Sequence, residues 1–196
     1  DGPGNVIPGA MSPHGMVRAS PDTLNESSQV GAYEHGATHI EGFTHTHLEG
    51  PGGSGYGYSQ ILLMPTTGPM DLSPQAVRST FSHETEKAEP GYYAVRLEDH
   101  GVQVELSASG HAAMHRYTFD EAGPARVIFD LGHSLGRSRG GRVEIEDERT
   151  VSGFGRYNVH PLLDLVLLPR DSSGLSTIYF VAQASTASSE RGTWQG

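Results

Sequence analysis

No cysteine occurs among the 196 residues, which excludes disulfides, thiolate metal sites and cysteine nucleophiles together. No apolar run approaches the roughly 18 residues that cross a bilayer as a helix. The opening Asp1-Gly2-Pro3-Gly4 has neither the charged nor the apolar region of a leader, so no membrane partner is expected. Positive charge is scarce: 13 Lys and Arg stand against 23 Asp and Glu, a formal net charge of -10. A phosphate-binding groove needs a clustered excess of basic residues, and nucleic acid is excluded as a partner on that ground. Hydrophobic residues make up 35% of the chain, too few for the apolar stripes of a helical protein.

Glycine and proline are plentiful, at 26 and 12 residues, and they punctuate the chain at intervals that suit turn-rich β structure. The length matches one all-β domain. Residues 16–19 read as a short strand after a looped entry, followed by a polar loop that takes in Ser20-Pro21-Asp22-Thr23. Alternation over 40–48 predicts a strand with His45 and His47 on one face, and the apolar run 61–65 a buried strand ending at Pro65. A hairpin is predicted over 92–97 and 102–108, turning at Glu98-Asp99-His100-Gly101. Further strands are expected at 112–119, 125–130, 142–147, 150–156 and 176–184, a spacing that indicates an antiparallel sandwich. Only Ser82 to Ala88 carries a helix-like capping signal, enough for a single turn.

Histidine is the first candidate for chemistry, because a neutral imidazole binds metals and titrates near neutrality. His45 and His47 could supply two ligands of a metal site, but no adjacent motif names a third; the alternative is a pair of imidazoles that orient neighbouring loops by hydrogen bonds. The glycine-rich segment 50–57 has no Lys-Ser/Thr ending and no helical pattern after it, so a phosphate loop is excluded. Backbone close to a sugar, with Tyr56 or Tyr58 offering a ring face, suits it better. The carboxylates Asp22, Glu34, Glu41, Glu84, Glu86 and Glu98 are scattered and read as solvated surface groups, not as a glycosidase pair.

Several blocks occur in a recognisable order: Pro8-Gly9-Ala10, Pro13-His14-Gly15-Met16-Val17, Ser20-Pro21-Asp22-Thr23, Gly42-Phe43-Thr44-His45-Thr46-His47-Leu48-Glu49-Gly50 and Ile61-Leu62-Leu63-Met64-Pro65-Thr66. Phe81-Ser82-His83-Glu84-Thr85-Glu86-Lys87-Ala88, Pro90-Gly91-Tyr92-Tyr93 and Asp130-Leu131-Gly132-His133 continue the series. Together they span nearly the whole chain and resemble the amino-terminal domain of glycoside hydrolase family 92, the calcium-dependent exo-α-mannosidases.

That resemblance implies an all-β, antiparallel β-sandwich (a supersandwich, galactose-mutarotase-like) that normally packs on an (α/α)6 barrel absent from this sequence. Residues 1–196 would be this one domain, incomplete at both ends, of a secreted or periplasmic enzyme. The reaction implied is inverting removal of mannose, most typically α-1,2-linked, from glycans. The catalytic carboxylates and most calcium ligands would lie in the barrel, leaving no catalytic residue and no assigned metal ligand in this chain. Its share would be substrate binding through Asp22, Tyr33, His45, His47, Gly50 and Tyr56. The partners implied are a mannose-containing glycan and the barrel domain or another copy of the chain. Many members carry a Trp and a Gly-Cys segment in the loop after the Ser-Pro-Asp-Thr block, whereas residues 24–32 here contain no aromatic residue and the later loop reads Gly53-Ser54-Gly55, which leaves the linkage preference open. The alternative reading is a non-catalytic carbohydrate-binding sandwich; a purely structural domain is the third.

Overall fold

The computed structural model describes residues 6–23, 31–48, 58–158 and 175–195. Apart from one short helix, α1 (Pro74–Val77), the described residues form fourteen strands paired antiparallel. A five-stranded sheet in the order β1-β2-β4-β5-β11 contains β1 (Ala10–Met11), β2 (Arg18–Asp22), β4 (Gly42–Thr44), β5 (Leu62–Thr67) and β11 (Ala125–Asp130). A four-stranded sheet, β10-β9-β8-β7, contains β7 (Lys87–Glu89), β8 (Tyr92–Leu97), β9 (Val102–Ser109) and β10 (Ala112–Phe119). A third sheet joins β12 (Arg137–Ile145), β13 (Thr150–Asn158) and β14 (Leu175–Gln183), while β3 (His39–Ile40) pairs with β6 (Ser79–Thr80).

The layering follows from β5, where alternate side chains enter different cores. Leu62 and Met64 pack with Phe43 and with Val95, Leu97, Val102, Val104 and Leu106 of the four-stranded sheet. Ile61 and Leu63 turn the other way, onto Tyr157 and the partly buried Phe129, Ile178 and Phe180. The five-stranded sheet is therefore a middle layer between two others, and an uninterrupted apolar run is what a strand covered on both faces requires. The expected sandwich is present, with this extra layer.

The hairpin β8–β9 turns at Gly101, whose φ of 59° favours glycine, and the strands expected at 112–119 and 125–130 match β10 and β11 in full. Three local expectations are corrected. Ser20-Pro21-Asp22 is strand, not loop: it pairs with Thr44, Phe43 and Gly42, and burial in the middle sheet overrides turn propensity. The 40–48 strand breaks into β3 and β4 and stops at Thr44, so His45 and His47 do not lie on a strand face. The strand at 61–65 runs on through Pro65 to Thr67, because β4 pairs with β5 only at Phe43↔Leu63 and Pro65 is spared a central ladder on that side.

Two further boundaries move. Ser82 to Ala88 forms no helix; Thr85 and Glu86 amides bond the Ser82 and His83 carbonyls in a tight turn that leads into β7. β12 begins at Arg137, with an irregularity between Ser138 and Gly141 that hides its periodicity.

Candidate functional site

The side chain of Asp22 closes β2 inside the protein, fully buried. Its Oδ1 accepts hydrogen bonds from His47 Nε2 at 2.8 Å and Thr44 Oγ1 at 2.9 Å, and its Oδ2 accepts from His133 Nε2 at 2.7 Å. His47 Nδ1 faces the Arg18 carbonyl at 2.8 Å, so one imidazole spans both ends of β2. Burial alone would raise the Asp22 carboxyl, but the hydrogen bonds and charge of His133 and His47 outweigh it and hold the group at about 2. His133 is shifted upward: burial opposes its charge, and the Asp22 carboxylate more than restores it.

This network fixes the roots of two chain segments. Thr23 donates its amide to the Ala32 carbonyl at 2.8 Å and takes the Glu34 amide on Oγ1 at 2.8 Å, closing the ends of the segment 24–30. Thr46 receives the Ser59 amide on its carbonyl at 2.7 Å and the Gln60 amide on Oγ1 at 3.0 Å, closing the ends of 49–57. Ala32, Ser59 and Ile61 all have φ between 56° and 65°, a left-handed backbone that costs a non-glycine residue about 1 to 2 kcal/mol. Such strain persists where surrounding contacts over-determine the chain, and here it sits at the same two roots.

His45 leaves this network for another. Its Nε2 lies 2.8 Å from His115 Nε2, and the Tyr117 hydroxyl lies 2.7 Å from His115 Nδ1. Burial pulls His45 down to about 4 and His115 to about 3, each further disfavoured by a neighbouring imidazole. Tyr33, by contrast, is joined to Glu86: its hydroxyl donates to both carboxylate oxygens at 3.0 and 2.9 Å.

The predicted site residues thus divide. Asp22 and His47 are bonded to each other, His45 and Tyr33 belong to two separate clusters, and Gly50 and Tyr56 lie outside the described residues. Asp22 and Glu86 are not the solvated surface carboxylates that their scattered positions suggested. Both histidines are hydrogen-bonded, His47 to Asp22 and the Arg18 carbonyl and His45 to His115. Sequence reasoning missed His133, His115 and Glu86 as participants, although His133 and Glu86 stand in blocks that carry the family resemblance. Gly132-His133-Ser134-Leu135-Gly136 has the spacing of a nucleophile elbow without its context, since it leads from β11 into β12 with no helix. Ser134 Oγ is turned to the Tyr58 carbonyl at 3.4 Å.

Calcium takes six to eight oxygen ligands. Among the described residues the group of three acidic or imidazole side chains that converges is His35, His83 and Glu86, with a single carboxylate. With two imidazoles and one carboxylate, that corner does not fit calcium. Beside the Asp22 network, an open concavity of about 430 Å³ is lined by Met11, Ser12, Pro13, His14, Gly15, Arg18 and Pro90. No helix among the described residues is long and apolar enough to cross a membrane.

Residues 1–196 match the glycosyl hydrolase family 92 N-terminal domain. A family 92 α-mannosidase from Bacteroides thetaiotaomicron, solved in complex with mannoimidazole, superposes with a TM-score of 0.83 and 31% identity over 95% of this chain. A family 92 inverting mannosidase from the same organism gives 0.63 and 29% over 79%. A protein of Arthroderma benhamiae named an uncharacterized secreted glycosidase is 30% identical over 131 residues, 59% of this chain. The chain spans 24% and 21% of the two solved mannosidases and 16% of the fungal protein. With a match along its full length and a shared fold, the chain belongs to glycosyl hydrolase family 92, as its N-terminal domain.

Proposed function

We propose that this domain is the substrate-facing amino-terminal part of a secreted, inverting exo-α-mannosidase that removes α-1,2-linked mannose from glycans. The acid and base carboxylates, 6.5–9.5 Å apart as a rough expectation for inversion, and the calcium are carried outside the described residues. The observation that carries the reading is the family match over residues 1–196, joined to a mannosidase that shares the fold over 95% of the chain. The inverting course is supported by the second mannosidase, and secretion by the name of the fungal relative.

The domain's own share follows from burial. A carboxylate with no exposed surface cannot touch a sugar, so Asp22 and His47 act as positioning residues that hold the roots of 24–30 and 49–57. Glycan contact is assigned to the segments 24–30 and 49–57, including Gly50 and Tyr56. Tyr33 and His45 brace the same region from the Glu86 and His115 sides.

Release of mannose from α-1,2-mannobiose by the full-length enzyme tests this. Tyr56→Ala is expected to raise KM, and His47→Ala to lower kcat/KM by about 10- to 100-fold through misplaced loops. Chelation should abolish turnover and added calcium restore it. Unchanged kinetics in both variants would remove the domain from substrate binding, and a wild type that releases no mannose would remove the mannosidase reading.

A further inference from the structure

Away from the Asp22 network, the tight turn 82–85 and the turn at 34–37 bring three metal-ligating side chains together. The Glu86 amide bonds the His83 carbonyl, and the Ala37 amide bonds the Glu34 carbonyl, which places His35, His83 and Glu86 at one corner. Their ligand atoms all lie within 4.8 Å of one another.

What surrounds these atoms resembles the support of a metal site. His83 donates Nε2–H to the His35 carbonyl at 2.7 Å, which fixes the ring and leaves Nδ1 aimed at Glu86 Oε2, 2.6 Å away. The Phe81 edge meets the His83 ring at 5.2 Å, and the His35 ring lies stacked on it at 4.0 Å, so His35 must swing out of the stack to reach an ion held in the His83 plane. Behind the carboxylate, Tyr93 donates to Oε1 at 2.7 Å and Tyr33 to both oxygens. Ligating histidines typically donate their second N–H to a carbonyl, and ligating carboxylates are themselves hydrogen-bonded. His83 meets the first condition and Glu86 the second.

We propose that His35, His83 and Glu86 form a three-ligand site for zinc, with the fourth position open to water. Two imidazoles and one carboxylate are a donor set for zinc rather than calcium. The metal takes the place of the proton between His83 Nδ1 and Glu86, at about 2.0–2.2 Å from each ligand atom once the pair widens. His83 and His35 are exposed, which gives the ion a path and the rings room to adjust. Bound zinc pins the 34–37 turn, and with it the end of the segment 24–30, to the approach to β7. The inference rests on local geometry and not on the glycosidase reading.

Zinc chloride titrated calorimetrically into the metal-stripped full-length protein, with calcium in excess to occupy any calcium site, decides it. One saturable equivalent is expected, weakened about 100-fold or more by His83→Ala and clearly weakened by His35→Ala, which alters only an exposed turn. Tyr93→Phe, acting through the carboxylate, should cost about tenfold. Absence of a one-to-one zinc isotherm, or one left unchanged by both histidine variants, overturns the site.

Discussion

His45 and His115 meet Nε2 to Nε2 at 2.8 Å inside the protein, and burial, reinforced by a neighbouring imidazole, disfavours the charged form of each. Both fold with values below the ordinary 6.5, at about 4 and about 3, so the unfolded chain binds protons more readily between those limits. Their contribution to stability is complete above pH 6.5 and is lost as pH falls through 4 and then 3. Asp22, held at about 2 against 3.8 unfolded, adds a second loss below pH 3.8. Urea midpoints are therefore expected to fall steadily from pH 7 to 3, and His115→Phe, which removes one of the two buried imidazoles, should flatten the part above pH 4. At Ser59 two costs coincide: a φ of 65° and a buried hydroxyl with no partner among the described residues. Ser59→Gly removes both. The gain exceeds the roughly 0.5–1 kcal/mol that glycine's chain entropy costs, for a net stabilisation of about 1 kcal/mol by denaturant unfolding.

At the scale of elements, β13 shows why glycine belongs inside a strand here. Tyr157, fully buried, folds back over Gly155 and donates its hydroxyl to the Leu131 carbonyl at 2.9 Å. A Cβ on Gly155 would meet that hydroxyl at 2.1 Å. Gly155→Ala must therefore displace a core ring and a buried hydrogen bond, at a cost of about 2 kcal/mol on urea denaturation; an unchanged midpoint would contradict this placement of Tyr157. The regular alternation of 92–97, 102–109, 112–119 and 125–130 made β8 to β11 legible in the sequence, since each has one face on a core and short turns beside it. β2 was hidden because Ser20-Pro21-Asp22 has turn chemistry that only pairing with β4 overrules. The false helical turn at 82–88 arose because a serine–glutamate spacing is the same in a capping box and in a turn whose carboxylate is drawn aside by Tyr33 and Tyr93.

On the whole molecule, the outermost sheet ends in β14, which pairs only with β13 among the described residues. Ile178 and Phe180 face the second core, while Tyr179 and Val181, 77% and 73% exposed, face outward. An unpaired strand edge beside exposed apolar side chains invites association. Residues 1–196 expressed alone are expected to show concentration-dependent mass by light scattering, reduced by Val181→Lys; a monodisperse monomer at all concentrations contradicts this. The sequence by itself determined the β class, the sandwich, most strands and the family resemblance, because period-two alternation and turn residues act over a few positions and the motif blocks are read in order. Only the tertiary structure decided that the middle sheet is covered on both faces, that Asp22 and His47 share a buried network with His133, and that His45 and Tyr33 stand apart from it. Those facts depend on contacts between residues up to 111 positions apart, as from Asp22 to His133, and a local pattern carries no record of which distant side chain will supply the other half of a hydrogen bond.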